Sequence, residues 1–257
     1  MLPIHALKSL LAGNPAPIDS IGFSPALRLL VLAPHPDDFD AIAITLRYLQ
    51  ARGNEIHLAV LSGGSKGVQD SYTSPQPSWE QKAQLREQEQ QSSCAFFGLS
   101  PSRISFLRLP EAADGELAQD SSCQARVHNQ INQTAPDILF LPSGNDINSG
   151  HQRTYDMARK AVQDLGKSLL ALYNKDAKTL KFQTDLYTGF SQSQADWKSS
   201  LLRFHDTQQA RNIATRGHGF DDRILSFNRT LARELELEDP YAEAFQVELF
   251  DADQRQP

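Results

Sequence analysis

His35, Asp37 and Asp38 stand together in the segment Ala33-Pro34-His35-Pro36-Asp37-Asp38, and a second histidine, His151, closes the polar stretch 142–151, PSGNDINSGH. Imidazoles and carboxylates are ordinary ligands of a divalent metal such as zinc, and three protein ligands leave positions open for water and substrate. If His35, Asp38 and His151 converge, they make a catalytic set of that kind. Asp37, beside a ligand but not needed as one, is then placed to take a proton from the attacking water. The competing structural reading is that both aspartates cap a helix, where the dipole favours carboxylates. Capping needs one acid, however, and does not ask for a histidine locked between two prolines.

Whether these side chains can meet depends on the elements that carry them. Residues 28–33, RLLVLA, form a short apolar run ending at Pro34, the pattern of a strand buried on both faces. From Asp40 onward, Ile42, Leu46 and Leu49 recur at helical spacing until Gly53 stops the pattern. Residues 55–61, EIHLAVL, predict a second strand, and the glycine-rich stretch 62–67 then bends the chain into a loop that carries Pro75 and Pro77. A polar helix is predicted over 79–97, closed by Gly98, then a strand over 104–109, a helix over 121–133 and a strand over 137–141. A helix following His151 runs to Gly166, and residues 168–173, SLLALY, supply a fifth strand. This alternation predicts a Rossmann-like α/β fold, a mainly parallel sheet of order 3-2-1-4-5 with helices on both faces. The first and fourth strands are then neighbours at the switch point, so the loops bearing His35 and His151 face one crevice.

Beyond that core of about 25–175 lies a C-terminal extension of about 176–257, with a strand at 185–190, helices at 194–211 and 222–236, and a last strand at 245–250. Neither a repeat nor a linker divides the chain, so residues 1–257 are read as one domain. The formal charge of −6 gives no reason to expect a grip on a phosphate backbone, so nucleic acid is not an expected partner. Two cysteines, Cys94 and Cys123, are too few and too far apart for a disulfide framework or zinc knuckle, and are read as reduced packing residues. The start, MLPIHALKSLLAGNPAP, is a poor signal peptide, and no apolar run suffices to cross a bilayer. No membrane partner and a cytoplasmic location are the resulting expectations.

The segment VLAPHPDD resembles the hallmark of the LmbE/PIG-L family of zinc-dependent N-deacetylases, usually AHPDDE, with a later histidine opening a helix. Further on, Arg86-x-x-Glu89-x-x-x-Ser93-x-x-x-Phe97-Gly98 is similar to the family's R-x-x-E-x-x-x-A-x-x-x-L-G helix, and Lys198-x-x-Leu201-Leu202-x-x-His205-x-Thr207-Gln208 looks like its K-x-x-A-L-x-x-H-x-S-Q stretch. The resemblance implies zinc held by His35, Asp38 and His151, with Asp37 as general base, the roles that spacing alone suggests. It further implies hydrolysis of an acetamide on an N-acetylglucosamine-type conjugate, zinc supplying the Lewis acidity and Asp37 accepting the proton of the attacking water. Two departures point to a divergent branch. Phe39 stands where the family has Glu, with Asp40 next to it. Asn148-Ser149-Gly150-His151 replaces H-P-D-H, so Asn148 takes the place of a histidine expected to stabilise the oxyanion, and Asp146 is a candidate for the missing carboxylate.

Lys66, Arg86 and His205 are candidate substrate-binding residues. Each has a plainer reading: a solvated loop lysine, a surface pair of Arg86 with Glu89, and a structural helix histidine. His57 is read as packed in its strand and Tyr155 as core, while His5, His128 and His218 carry no role. The leading function is metal-dependent removal of an N-acetyl group from a small amino-sugar conjugate. Its rivals are a zinc amidase for a larger acyl group and a non-catalytic metal- and sugar-binding protein. Two imidazoles and a carboxylate also suit ferrous iron, and a homo-oligomer is expected by analogy with the family.

Overall fold

Buried aliphatic strands spread along the chain build one eight-stranded sheet in the computed structural model, which describes residues 15–251. The N-terminal segment weighed above as a leader, with His5, lies outside the described residues. Strands β1 (Ala16–Pro17), β2 (Arg28–Ala33), β3 (Glu55–Val60), β4 (Ile104–Phe106), β5 (Ile138–Pro142), β6 (Leu169–Asn174), β7 (Leu186–Phe190) and β8 (Tyr241–Phe250) lie in the order β1-β7-β8-β6-β5-β2-β3-β4. The five strands β6-β5-β2-β3-β4, which run to one edge of the sheet, are parallel and follow the order 3-2-1-4-5 expected from the alternation. Strands β2 and β5 are neighbours, in register at Leu29–Ile138 and Val31–Phe140. On β2, Leu29, Val31 and Ala33 enter one core and Leu30 and Leu32 the other, the period-2 alternation of a strand covered on both faces.

Helices α1 (Asp38–Ala41), α2 (Ala43–Ala51) and α3 (Trp79–Phe97) cover the first face, and α4 (Ser121–Thr134) and α5 (Ser149–Leu165) the second. Cys94 packs from α3 into one core and Cys123 from α4 into the other, both as free thiols. Three further helices, α6 (Gln192–Leu202), α7 (Asp206–Arg216) and α8 (Phe220–Glu234), follow β7, and among the described residues no helix is long and apolar enough to cross a membrane.

Four sequence expectations need correction. The sheet does not stop at five strands: β8 runs antiparallel to both β6 and β7, starts earlier than expected, at Tyr241, and carries the sheet on to β7 and the two-residue β1. The strand expected over 104–109 ends at Phe106, because Arg108 sits at φ 46°, which breaks the extended path. The helix expected from Asp40 is broken at Ile42 for a tertiary reason. The Ala41 carbonyl, which would accept from Thr45 in a continuous helix, instead accepts from Lys198 Nζ at 2.6 Å. The Ile44 and Thr45 N–H groups are taken by the Glu243 carboxylate at 3.1 and 2.8 Å, so a buried ion pair from α6 and β8 enters the ladder and caps a new helix. The helix expected over 194–211 is likewise two helices, since the intervening His205 side chain is drawn inward to Asp40 at 2.7 Å.

Candidate metal centre and its cavity

His35 leaves the end of β2 and His151 lies in the first turn of α5 just after β5, so the β2–β5 pairing brings the two imidazoles together, ring centroids 5.7 Å apart. Asp38, the first residue of α1, completes the group. Its Oδ2 accepts from the His35 backbone N–H at 2.9 Å and lies 3.3 Å from His35 Nδ1, while Oδ1 is 3.6 Å from His151 Nε2. Candidate ligand atoms of all three lie within 4.8 Å of one another. The far nitrogen of each imidazole is held by a carboxylate: His151 Nδ1 by Asp146 Oδ2 at 3.1 Å, and His35 Nε2 by Glu116 Oε2 at 2.7 Å. That leaves His35 Nδ1, Asp38 and His151 Nε2 facing a common point, and carboxylate-backed imidazoles are the usual support of a metal ligand. The donor set therefore fits a divalent metal, which its chemistry also favours.

Charges are coupled across this group. Burial alone would lower the pKa of His151, but the Asp38 charge and hydrogen bonds to Asp146 and Asp38 push it up to about 10. His35 is also raised, against burial, by its hydrogen bonds to Asp38 and Glu116. Asp38 is held well below the carboxylate range because the two imidazoles overcome its burial.

Asp37 occupies the N-cap position of α1, yet its side chain makes no capping bond, so simple capping does not account for it. Its backbone is at φ 125°, a strained conformation for a non-glycine residue. Two groups from α3 hold it there: Gln90 Oε1 accepts from its N–H at 2.9 Å, and Arg86 Nη2 lies 2.9 Å from its Oδ2. Arg86 also donates to the carbonyls of Gly64, at 2.8 Å, and Pro36. Arg86 is thus a buried brace between two loops and the Asp37 carboxylate, not the surface partner of Glu89. Glu89 instead receives the N–H and hydroxyl of Thr207 on α7.

Asn148 is the N-cap of α5, its Oδ1 accepting from the N–H groups of Gly150 and His151 at 2.8 and 3.2 Å. Asn148 lines the cavity in front of the His/Asp group, and its amide nitrogen has no protein partner among the described residues. Asp146 is almost completely buried, and its Oδ1 also accepts from the Asn148 N–H at 2.7 Å. Gly150 fits because a Cβ there would meet Glu116 Oε2 at 2.7 Å and His35 Nε2 at 3.2 Å.

Of the other sequence candidates, Lys66 lines the cavity while donating to the Asp114 carbonyl at 2.8 Å. His205 does not line it. It is fully buried behind the site, on Asp40, which also receives Gln90 and Ser93. His57 is half-buried and pairs with Glu55 at 3.2 Å, and Tyr155 packs on Tyr173. Sequence reasoning missed Glu116 and Gln90. Asp114-Gly115 does signal a turn just before Glu116, with Gly115 at φ 75°, but no local pattern says which strand end the turn covers. It also missed Arg211 and Arg223 on α7 and α8, which line the same cavity of about 220 Å³.

Comparisons with known proteins bear on the family and the fold. The family signature of PIG-L, described as GlcNAc-PI de-N-acetylase, matches residues 30–162, from β2 into α5. Comparison with curated proteins gives no match. Among solved structures, N,N'-diacetylchitobiose deacetylase from Pyrococcus horikoshii is similar at TM-score 0.72 and 17% identity, over 94% of this chain and 89% of that one. The A40926 pseudoaglycone deacetylase Dbv21 gives TM-score 0.67 and 14% identity over 87% and 98%. GalB, the 4-carboxy-2-hydroxymuconate hydratase from Pseudomonas putida KT2440, gives 0.65 and 15% over 86% and 95%, so the fold by itself does not specify one reaction. With the signature spanning over half of the chain, including His35, Asp37, Asp38 and His151, this protein belongs to the PIG-L family.

Proposed function

We propose that this protein is a metal-dependent N-deacetylase that removes the acetyl group from an N-acetylglucosamine-type conjugate. The observation that carries this reading is the convergence of His35, Asp38 and His151 beside a strained, braced Asp37 on one cavity wall. When bound by those three residues, a divalent metal supplies Lewis acidity toward an amide carbonyl and water. Zinc is the metal we assign, with ferrous iron as the alternative for the same donors.

Asp37 accepts the proton of the attacking water and passes it to the leaving nitrogen, so amide and water become amine and acetate. Arg86 keeps its carboxylate aimed beside the cavity. The free amide N–H of Asn148 is a donor for the developing oxyanion, in place of the family histidine. Asp146 and Glu116 orient the imidazoles. Lys66 meets the substrate at the rim, while Arg86 and His205 serve the site by positioning. The chain is read as one domain, because β7 and β8 of the extension continue the core sheet, Lys198 takes the last carbonyl of α1 and Glu243 caps α2.

The test is metal analysis of the purified protein with an amine-release assay on N-acetylglucosamine derivatives. Wild type is expected to carry about one metal and release amine. His151→Ala should lose metal, and Asp37→Ala should lose turnover while keeping it. Full metal occupancy with no amine release from any derivative would overturn the deacetylase reading in favour of a binding protein.

A further inference from the structure

A second cleft, of about 820 Å³, shares no lining residue with the metal cavity. Its floor is the second face of the sheet at β6 and β8, between α5 and α8. Helix α8 packs Leu231 and Ala232 against Ala242 and Ala244 of β8, and the next residues on that face, Gln246 and Glu248, are only half-buried. Helix α5 contributes Tyr155 and Arg159, one turn apart, and residues 143–145 and 181–183 close the ends. Residues 145–147 are hydrogen-bonded to 178–181 as a short ribbon. Asn145 and Lys181 of this ribbon line the cleft, whereas Asn148 and Lys178 line the metal cavity.

Tyr155 packs its ring on the backbone of Gly144, where a Cβ would meet ring atoms at 2.4 and 2.7 Å, so glycine is what admits the ring. Arg159 grips Glu248 as a fork, with Nη2 at 2.6 Å from one oxygen and Nε at 3.0 Å from the other, and the Tyr173 hydroxyl donates to the same carboxylate. These two charges cancel. Lys181 has no ion-pair partner among the described residues and is the one uncompensated charge of the lining. Among the described residues, the Tyr155 hydroxyl and the Gln246 side-chain amide also have no hydrogen-bond partner, although both residues line the cleft. Half-buried Phe182 adds a further aromatic ring. A gap that served packing alone would be closed by apolar side chains, whereas this one sets aromatic rings beside unused donors and acceptors.

We infer that this cleft binds a neutral saccharide, at a site separate from the metal group. The rings of Tyr155 and Phe182 offer apolar surface to the C–H face of a pyranose. A hydroxyl, an amide and a carboxylate–guanidinium pair offer donors and acceptors side by side, which is what sugar hydroxyls, each both donor and acceptor, require. The Glu248 carboxylate on the floor opposes an anion, and the polar groups between the rings oppose a lipid tail. The site does not depend on the reaction proposed for the metal group.

The test titrates metal-loaded protein with cellotriose and maltotriose, neutral β- and α-linked sugars that carry no acetamide to be hydrolysed. Binding is read by calorimetry and by saturation-transfer NMR. At least one sugar should bind wild type, and Phe182→Ala/Gln246→Ala should lose at least about 10-fold in affinity at unchanged metal content and melting temperature. Phe182→Tyr, which keeps the ring, should bind as wild type does. Asp38→Ala, which dismantles the metal group, should leave sugar binding in place because the cleft lies apart from it. Sugar binding lost in Asp38→Ala but kept in Phe182→Ala/Gln246→Ala belongs to the metal cavity and overturns the site. Failure of both sugars to bind wild type overturns it as well. Binding of inorganic phosphate in place of either sugar, lost in Lys181→Ala, makes the cleft an anion site and refutes the neutral-saccharide assignment.

Discussion

Asp146→Ala tests how the site is held together, because it removes a side chain that touches no substrate in the proposed reaction. The Asp146 carboxylate receives two buried donors, the Asn148 N–H at 2.7 Å and His151 Nδ1 at 3.1 Å. Truncation leaves both unsatisfied, and each buried unpaired donor costs about 1–3 kcal/mol, so the fold should lose about 2–6 kcal/mol. Metal binding should suffer separately, since His151 loses the partner that fixes its orientation. Loss of such a supporting carboxylate costs about 10–100-fold in affinity, or about 1.4–2.7 kcal/mol. Asp146→Asn keeps an acceptor for one donor but turns an NH₂ toward the other, and should fall between wild type and Ala. The assay is zinc competition against a chromophoric chelator, run beside thermal melts so that folding and affinity are read independently. If folded Asp146→Ala binds zinc within twofold of wild type, Asp146 does not orient His151 and the supporting role assigned to it fails.

Other consequences can be measured alongside. Asp37→Asn should lower kcat by about 10²–10⁴-fold with zinc affinity unchanged, checked by single-turnover amine release and the same chelator assay. Glu116→Gln keeps a hydrogen bond to His35 but removes the charge, so zinc affinity should fall less than about 10-fold, whereas Glu116→Ala should approach the Asp146→Ala loss. Lys198→Met leaves the buried Glu243 without its counter-charge; at about 3–5 kcal/mol and about 2–4 °C per kcal/mol, the melting temperature should drop by roughly 6–20 °C. In metal-free protein His151 titrates near 10 rather than 6.5, so its stabilising contribution is complete below pH 6.5 and is lost as pH rises toward 10. Melts of metal-free protein should show that decline, and zinc, which requires the neutral imidazole, should remove it and release protons on binding.

Local sequence determined a good deal of this protein. The apolar runs of β2, β3, β5 and β6 can be buried only in a covered parallel sheet, and the right-handed crossovers between them leave few strand orders. Once β2 and β5 are neighbours, His35 and His151 must approach, because both follow the carboxyl ends of those strands. Glycine stops such as Gly98 and Gly166 were legible for the same reason: φ 89° and φ 60° are conformations that favour glycine.

What tertiary structure alone decided is the wiring behind the site. Arg86 and Glu89 have the spacing of a surface pair, yet one braces Asp37 and the other holds Thr207, 118 residues away in sequence. His205 looks like an ordinary helix residue, but it breaks its helix to meet Asp40 in the interior. The break at Ile42 has no local signal either, since it is made by Lys198 and Glu243 arriving from α6 and β8. Glu116, Arg211 and Arg223 were invisible as site residues for the same physical reason. Periodicity and capping are set within a turn or two of chain, whereas a charge finds its partner through space, and only the folded sheet decides which distant charges share one cavity.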